Sequence, residues 1–440
     1  MNTIYSRRLF ACIVIAILVA MPFVARFFRK SKQYAESAGP AIVSISPNEV
    51  PKGVTPSGRM SISEVVFQPL ALPNKNLQWD SIVATVSADS ELLFVAYSYD
   101  TDWKAKLCYA DIRSDFFKPP FQELYDSPSQ TKYTSLGCSK RMDKASYTLS
   151  FAVLGTEPAK NESEICPEAL YRTTLKRVEQ KIVFDDAQDH RFIRLMNAPN
   201  GPQITKKLFD TTSRGINTFH LWLANDDKLF FGGAWGINAY DSTSELNTKT
   251  QLASPLLYKF TESKDNQPGE IQKFLTSNIY EDSQGNLNFI EKKFPDGPIK
   301  QPSDVRAIPF NVGDGHLVTI DRAGKVIRKR DFPAIHHPDQ RVLLTSTHWC
   351  FMDVQANQGI IIAPLDNPKE YILCRFPEDQ LRDEGSQFYY FIRILALLPD
   401  GRHVLCSRNV LPRHRKEAIA KHLPLSELGI VELPFSLCKH

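Results

Sequence analysis

The chain has 440 residues, with 53 Lys and Arg against 49 Asp and Glu and a formal net charge of +4. With 42% hydrophobic and 23% charged residues it has the composition of a folded globular chain, which excludes a disordered one. The charge is mild and partly gathered around an apolar N-terminal run, so the concentrated basic footprint of a nucleic-acid binder is missing and nucleic acid is not an expected partner.

In chain order, residues 1–8 form a short tail carrying Arg7 and Arg8. Residues 9–28 follow as an apolar segment, uncharged from Leu9 to Ala25. Its length is at the short end for a bilayer span and beyond the apolar region of an ordinary secretion signal. Cleavage after Ala25 would place Phe23 where a small residue is needed, so a retained anchor is expected. Arg26, Arg29, Lys30 and Lys32 draw the following chain toward the cytoplasm, whereas Arg7 and Arg8 favour a cytoplasmic N-terminus. Long domains translocate largely regardless of such charges. The expectation is a single-pass membrane protein with its main domain extracytoplasmic, either periplasmic or extracellular. Residues 29–60, with Pro40, Pro47, Pro51 and Pro56, read as a stalk.

From residue 61 to 440 helical periodicity is nearly absent. Short runs rich in β-branched and aromatic residues recur, such as ELLFVAYSY (91–99), SYTLSFAVL (146–154), NLNFIEKK (286–293) and GIIIAPL (359–365). Many begin after an acidic or amide turn of the kind that closes a tight hairpin. These turns, at Asp89, Asp143, Asp186, Asp226, Asp282, Asp321, Asn357 and Asp400, recur at a spacing of about 40–50 residues, as propeller blades do. The expected fold is therefore all-β, a seven- or eight-bladed β-propeller behind an N-terminal transmembrane helix. The strand GIVELPF (429–435) is expected to complete a blade with an early strand and close the ring. Two β-rich sandwich domains meeting near residue 200 are the other arrangement the pattern allows.

Two segments carry a resemblance. DKLFFGGAWGINAYDSTS (227–244) and IYEDSQGNLNFIE (279–291) resemble the two-component-regulator propeller repeat, which joins an acidic-x-x-Gly-Asn turn to a strand and then to Gly-Leu-x-x-Tyr-Asp. Gly236 to Asp241 follow the second half of that pattern and Asp282 to Leu287 the first. The strand tryptophan of the repeat is replaced by Phe230 and Asn288. The resemblance implies a propeller fold and little about function.

Eight cysteines, seven of them beyond Cys12, show no tight spacing and so give neither a disulfide scaffold nor a zinc framework. Cys108, Cys374 and Cys406 lie in apolar strands and read as small buried hydrophobes. His336, His337 and Asp339 form a polar loop candidate, but adjacent histidines on an extended segment point to opposite sides. His348 and Cys350 share a strand face and are conceivable as base and nucleophile, although core packing explains the same spacing. The glycines at 232, 233 and 236 lack the following helix that a phosphate cradle needs. No G-x-S-x-G or H-E-x-x-H motif occurs.

The segment 412–428 is the best helical candidate outside the anchor. It carries Arg413, His414, Arg415, Lys416 and Lys421 around Ala418 and Ile419, and reads as a docking element for an acidic partner or anionic lipid. Taken together, the sequence points to a membrane-anchored propeller that acts as a binding, scaffold or sensor component, presents a protein- or ligand-binding surface, and uses no cofactor. The alternative is a propeller enzyme of hydrolase or lyase type with a channel-mouth active site. A quinone-dependent dehydrogenase on an eight-bladed ring is the third option.

Overall fold

The computed structural model describes residues 60–73, 82–98, 105–113, 115–127, 132–140, 146–154, 169–185, 192–197, 221–224, 228–233, 236–240, 256–262, 270–293, 315–332, 342–353, 359–366, 370–381, 390–410, 414–421 and 425–438. The expected anchor at 9–28 and the stalk up to residue 59 lie outside these. Among the described residues no helix is long and apolar enough to cross a membrane.

The described chain opens with β1 (Met60–Glu64) and β2 (Phe67–Leu70). Blade 1 is β3 (Ile82–Val86), β4 (Leu92–Ser98), β5 (Ala105–Asp111) and β6 (Gln122–Asp126). Blade 2 is β7 (Lys132–Lys140), β8 (Ser146–Leu154), β9 (Ala169–Val178) and β10 (Lys181–Phe184), with β11 (Ile193–Asn197) also paired to β9. Blade 3 is β12 (Leu221–Leu223), β13 (Leu229–Gly233), β14 (Gly236–Tyr240) and β15 (Leu256–Lys259). A small ladder, β16 (Thr261–Glu262) with β17 (Glu270–Ile271), leads to blade 4. That blade has an inner strand in two pieces, β18 (Lys273–Leu275) and β19 (Tyr280–Glu281), then β20 (Leu287–Lys293), β21 (Gly315–Ile320) and β22 (Val326–Phe332). Blade 5 is β23 (Leu343–Leu344), β24 (His348–Asp353), β25 (Gly359–Pro364) and β26 (Tyr371–Arg375), followed by α1 (Glu378–Leu381). Blade 6 is β27 (Tyr390–Leu397), β28 (His403–Val410) and β29 (Ser426–Glu432), with α2 (Arg415–Ala420) between the last two.

The middle strands of the blades are apolar on both faces because each blade packs on two neighbours. In β4, Leu92, Phe94 and Ala96 pack toward blade 2, whereas Leu93, Val95 and Tyr97 pack toward blade 6. In β25, Ile360 and Ile362 join the core with blade 6, and Ile361 and Ala363 the core with blade 4. Blades 3 and 4 share Phe230, Ile237, Phe289 and Val318. β12 lies against β7 and β8, so blade 3 also meets blade 2. Each blade thus touches the next, and the sixth touches the first: the fold is an all-β, six-bladed propeller.

Closure comes from the N-terminal run. β1 adds in parallel to β26 at the edge of blade 5, and β2 then pairs antiparallel with β29 as the fourth strand of blade 6. The expected pairing of the 429–435 strand with an early strand is therefore present. The tail beyond it ties blades 5 and 6 together, since Leu437 O accepts hydrogen bonds from Thr345 Oγ1 at 3.1 Å and Thr347 Oγ1 at 2.8 Å.

The expected seven or eight blades are corrected to six. Asp321 closes the β21–β22 hairpin of the blade whose β19–β20 hairpin Asp282 already closes, and in the sequence position 186 falls between β10 and β11, both strands of blade 2. A four-stranded blade has three hairpins, so an acidic turn marks a hairpin and not a blade. The turns themselves are built alike. Asp282 Oδ1 accepts from the N–H groups of Gln284 and Asn286, both at 2.9 Å, and Asp321 Oδ1 from those of Ala323 and Lys325, both at 2.9 Å. Gly285 (φ +80°) and Gly324 (φ +86°) supply the left-handed residue in each. Six blades also remove the premise of the eight-bladed quinone enzyme.

Candidate functional site

Chain direction gives the ring two ends. Tight hairpins such as 282–286 and 321–325 lie at one; at the other β18 and β21 begin and β20 and β22 end, and the longer stretches of sequence 294–314 and 333–341 follow the latter two. The polar cluster of greatest interest sits at this second, loop end, between blades 3 and 4.

Along β20, Leu287, Phe289, Glu291 and Lys293 fall on the face turned to blade 3. The first two feed the shared apolar core. Glu291 continues the same row, and its side chain is 0% exposed. Across the sheet it is paired with Leu275 on one side and His316 on the other, and His316 is paired in turn with Asp331. Four groups meet the carboxylate. Lys329 Nζ donates to Oε1 at 2.8 Å and the Tyr258 hydroxyl of blade 3 donates to Oε2 at 2.9 Å. Lys273 Nζ lies 3.4 Å from Oε1, and so does His316 Nδ1. The histidine nitrogen is buried and not aligned for a hydrogen bond. Its Nε2 lies 3.8 Å from Asp331, whose side chain is fully exposed.

A charge buried this completely is tolerable only when paired and hydrogen-bonded, and Glu291 is both. Its neighbours take their protonation from the same enclosure. Burial, then the charge of Lys329, push the His316 imidazole below its ordinary value, against the opposing pull of Glu291. The ring is therefore neutral at pH 7. Burial and then Glu291 push the Tyr258 phenol up, so it stays protonated and donating. Lys293, directly opposite Lys273 in the ladder, is exposed and makes no ion pair among the described residues.

A second polar cluster joins blades 1 and 2 at the hairpin end. The Arg177 guanidinium spans Asp111 Oδ2 at 3.0 Å, Glu91 Oε2 at 3.1 Å and the Tyr147 hydroxyl at 3.2 Å. Arg113 Nε donates to Asp111 Oδ1 at 2.9 Å. Against the upward pull of burial, these hydrogen bonds hold the Asp111 carboxyl down at about 2. Two carboxylates meet two guanidiniums here and both guanidiniums are committed, as befits a staple.

The residues singled out in the sequence lie elsewhere. His336, His337 and Asp339 are outside the described residues, as is Arg413. His414, Arg415, Lys416 and Lys421 lie on or beside α2, which interrupts blade 6 as the pattern 412–428 suggests. That helix is seated by Ala418, buried with Val410 and Leu425, while Lys416 and Ile419 are exposed. Lys421 pairs with Glu417 at 2.8 Å. His348 bonds Thr347 through Nδ1 at 2.8 Å, and the Cys350 thiol beside it is fully buried and pushed far up by that burial, which removes it as a nucleophile. The described cysteines are free, and Cys108 and Cys374 are each pushed up to about 12, chiefly by burial. Among the described residues no group of three or more His, Cys, Asp or Glu is placed to hold a metal.

The Glu291 cluster was missed by motif reading, yet a signal for it exists. In LNFIEKK and GHLVTI, Glu291 and His316 occupy inward positions, in phase with Leu287 and Phe289 and with Val318 and Ile320. A titratable residue in phase with a strand's core row is the mark to look for.

No sequence family matches the chain, and no curated protein matches it. Similar solved structures include an α-L-arabinofuranosidase of glycoside hydrolase family 93 from Fusarium graminearum, at 8% identity and TM-score 0.41 over 83% of this chain and 97% of that one. The catalytic domain of a family 62 α-L-arabinofuranosidase from Coprinopsis cinerea has 12% identity and TM-score 0.37, over 85% and 98%. A quinoprotein alcohol dehydrogenase-like protein from Bacteroides thetaiotaomicron has 10% identity and TM-score 0.28, and this chain covers 45% of it. Likeness at this level says nothing about activity; the blade count rests on the strand pairing of this chain.

Proposed function

We propose that the chain is a ligand-binding propeller that receives its ligand at the loop end of blades 3 and 4. The observation that supports this is the enclosed Glu291 carboxylate holding Lys273, Lys329 and Tyr258 where an apolar core gives way to long connections. Residues 9–28 would hold the propeller at a membrane, with the body extracytoplasmic, as a binding or sensor component. Lysine acylation with and without candidate ligands tests the site. The expected outcome is protection of Lys273 and Lys329; protection confined to Lys416 on α2 would move the site to blade 6. Reporter fusions after residue 60 and at the C-terminus test the membrane topology.

A second reading, an enzyme of hydrolase or lyase type, draws support from His316. Its neutral imidazole is able to accept a proton at pH 7, and it shares the Glu291 carboxylate with the protonated Tyr258. This reading places the chemistry between two blades and not at the channel mouth. It predicts that His316→Ala abolishes turnover and leaves ligand binding within about threefold. Unchanged turnover would remove it.

A further inference from the structure

Building on the reading that the loop end of blades 3 and 4 is the ligand site, we infer that the ligand carries an oxyanion held by Lys273, Lys293 and Lys329. Lys273 and Lys293 are direct partners across β18 and β20. Directly opposed residues of an antiparallel pair have Cβ atoms about 5 Å apart, and like charges there are destabilising. Among the described side chains the enclosed negative charge near this pair is Glu291, and its contacts are already taken by Lys273, Lys329, Tyr258 and His316. Asp331 offers little compensation. Its side chain is fully exposed, and the group it approaches is the imidazole.

Two ammonium groups therefore share one buried carboxylate, and Lys293 adds a third positive charge opposite Lys273. The like-charged pair sits at the outer end of the row, beyond Glu291, and Lys293 is left without an acidic partner among the described residues. A group with two or more anionic oxygens placed between Lys273 and Lys293 would relieve the repulsion without disturbing Glu291. Lysine suits this task, because its flexible stem brings a compact charge to an oxygen without demanding one fixed geometry. Carboxylate, sulfate and phosphate share the required chemistry. The neutral His316, against the same carboxylate, is a polar neighbour that adds no charge of its own.

The test uses the full chain in nonionic detergent, titrated by calorimetry with four probes. These are a uronic-acid hexasaccharide, a heparin-derived hexasaccharide, inorganic triphosphate, and a neutral glucan hexasaccharide. At least one anionic probe is expected to bind saturably, more weakly at about 0.2 M than at about 0.05 M salt. Which arm binds tells carboxylate from sulfate from phosphate. Lys293→Gln is expected to weaken that binding about tenfold, a loss of about 1.4 kcal/mol, and Lys293→Arg to restore most of it. Failure of all three anionic probes below about 1 mM, or equal binding by Lys293→Gln, would overturn the inference. If only the neutral glucan binds and it protects Lys273 from acylation, the anion inference fails while the site stands. Protection elsewhere by every probe removes both.

Discussion

Blades 1 and 2 and blades 3 and 4 are each joined by a polar cluster at one end of an apolar interface, and the two clusters solve opposite problems. Between blades 1 and 2, Arg177 spans Glu91, Asp111 and Tyr147, so its fixed fork is filled and no cation is left over. Between blades 3 and 4, one carboxylate is ringed by flexible lysines and a neutral histidine, with Lys293 to spare. The first arrangement is complete without a ligand. The second has a charge surplus in the place where long connections leave the ring. Composition alone does not separate the two, since each mixes acids, bases and a tyrosine; the difference lies in which charges are committed.

The largest effect expected from breaking this contrast is at Glu291. Glu291→Gln leaves Lys273 and Lys329 around a buried neutral amide, and urea unfolding is expected to show a loss of about 3–5 kcal/mol, the range for removing one partner of a buried ion pair. A loss below about 1 kcal/mol would mean that the carboxylate is not the organising charge. Arg177→Met is expected to cost less, about 1–3 kcal/mol, because its partners remain partly hydrated. It should leave ligand binding unchanged.

The pH dependence separates the regions further. Asp111 is held at about 2 in the folded state, below the unfolded value of about 3.9, so its contribution is intact above about pH 4 and is lost as pH falls toward 2. Asp111→Asn should flatten the stability profile in that acid window alone. His316 has the opposite charge type. Its folded value is lowered, so the unfolded chain takes up the proton first, and stability declines as pH drops below about 6.5. His316→Gln should remove that decline and leave the acid window in place. The smallest expected effect is at the thiols. Cys108, Cys350, Cys374 and Cys406 are buried and raised by that burial, so a thiol reagent at neutral pH should modify them only after unfolding.

How much of this was legible follows from periodicity. The middle strands of the blades announce themselves because they are apolar on both faces, and the acidic turns announce hairpins because Asp282 and Asp321 cap them through the same backbone contacts. Blade number was not legible, since one blade carries two such turns. α2 stood out because its basic pattern is local in sequence. The Glu291 cluster did not, because Lys273, Tyr258, Glu291, His316 and Lys329 come from five strands of two blades and meet only once the register is fixed. The sole local trace is a charged residue on a core row, which no motif encodes.

The most direct measurement of the contrast is the urea midpoint of wild type and Lys293→Gln, each with and without the three anionic probes. Without a probe, Lys293→Gln is expected to be as stable as wild type or more so, because a like-charge pair has been relieved. With a binding probe, wild type should gain stability and Lys293→Gln should gain markedly less. A variant that is less stable than wild type without ligand, or that gains as much from each probe, would show that Lys293 belongs to a structural network and not to a ligand site.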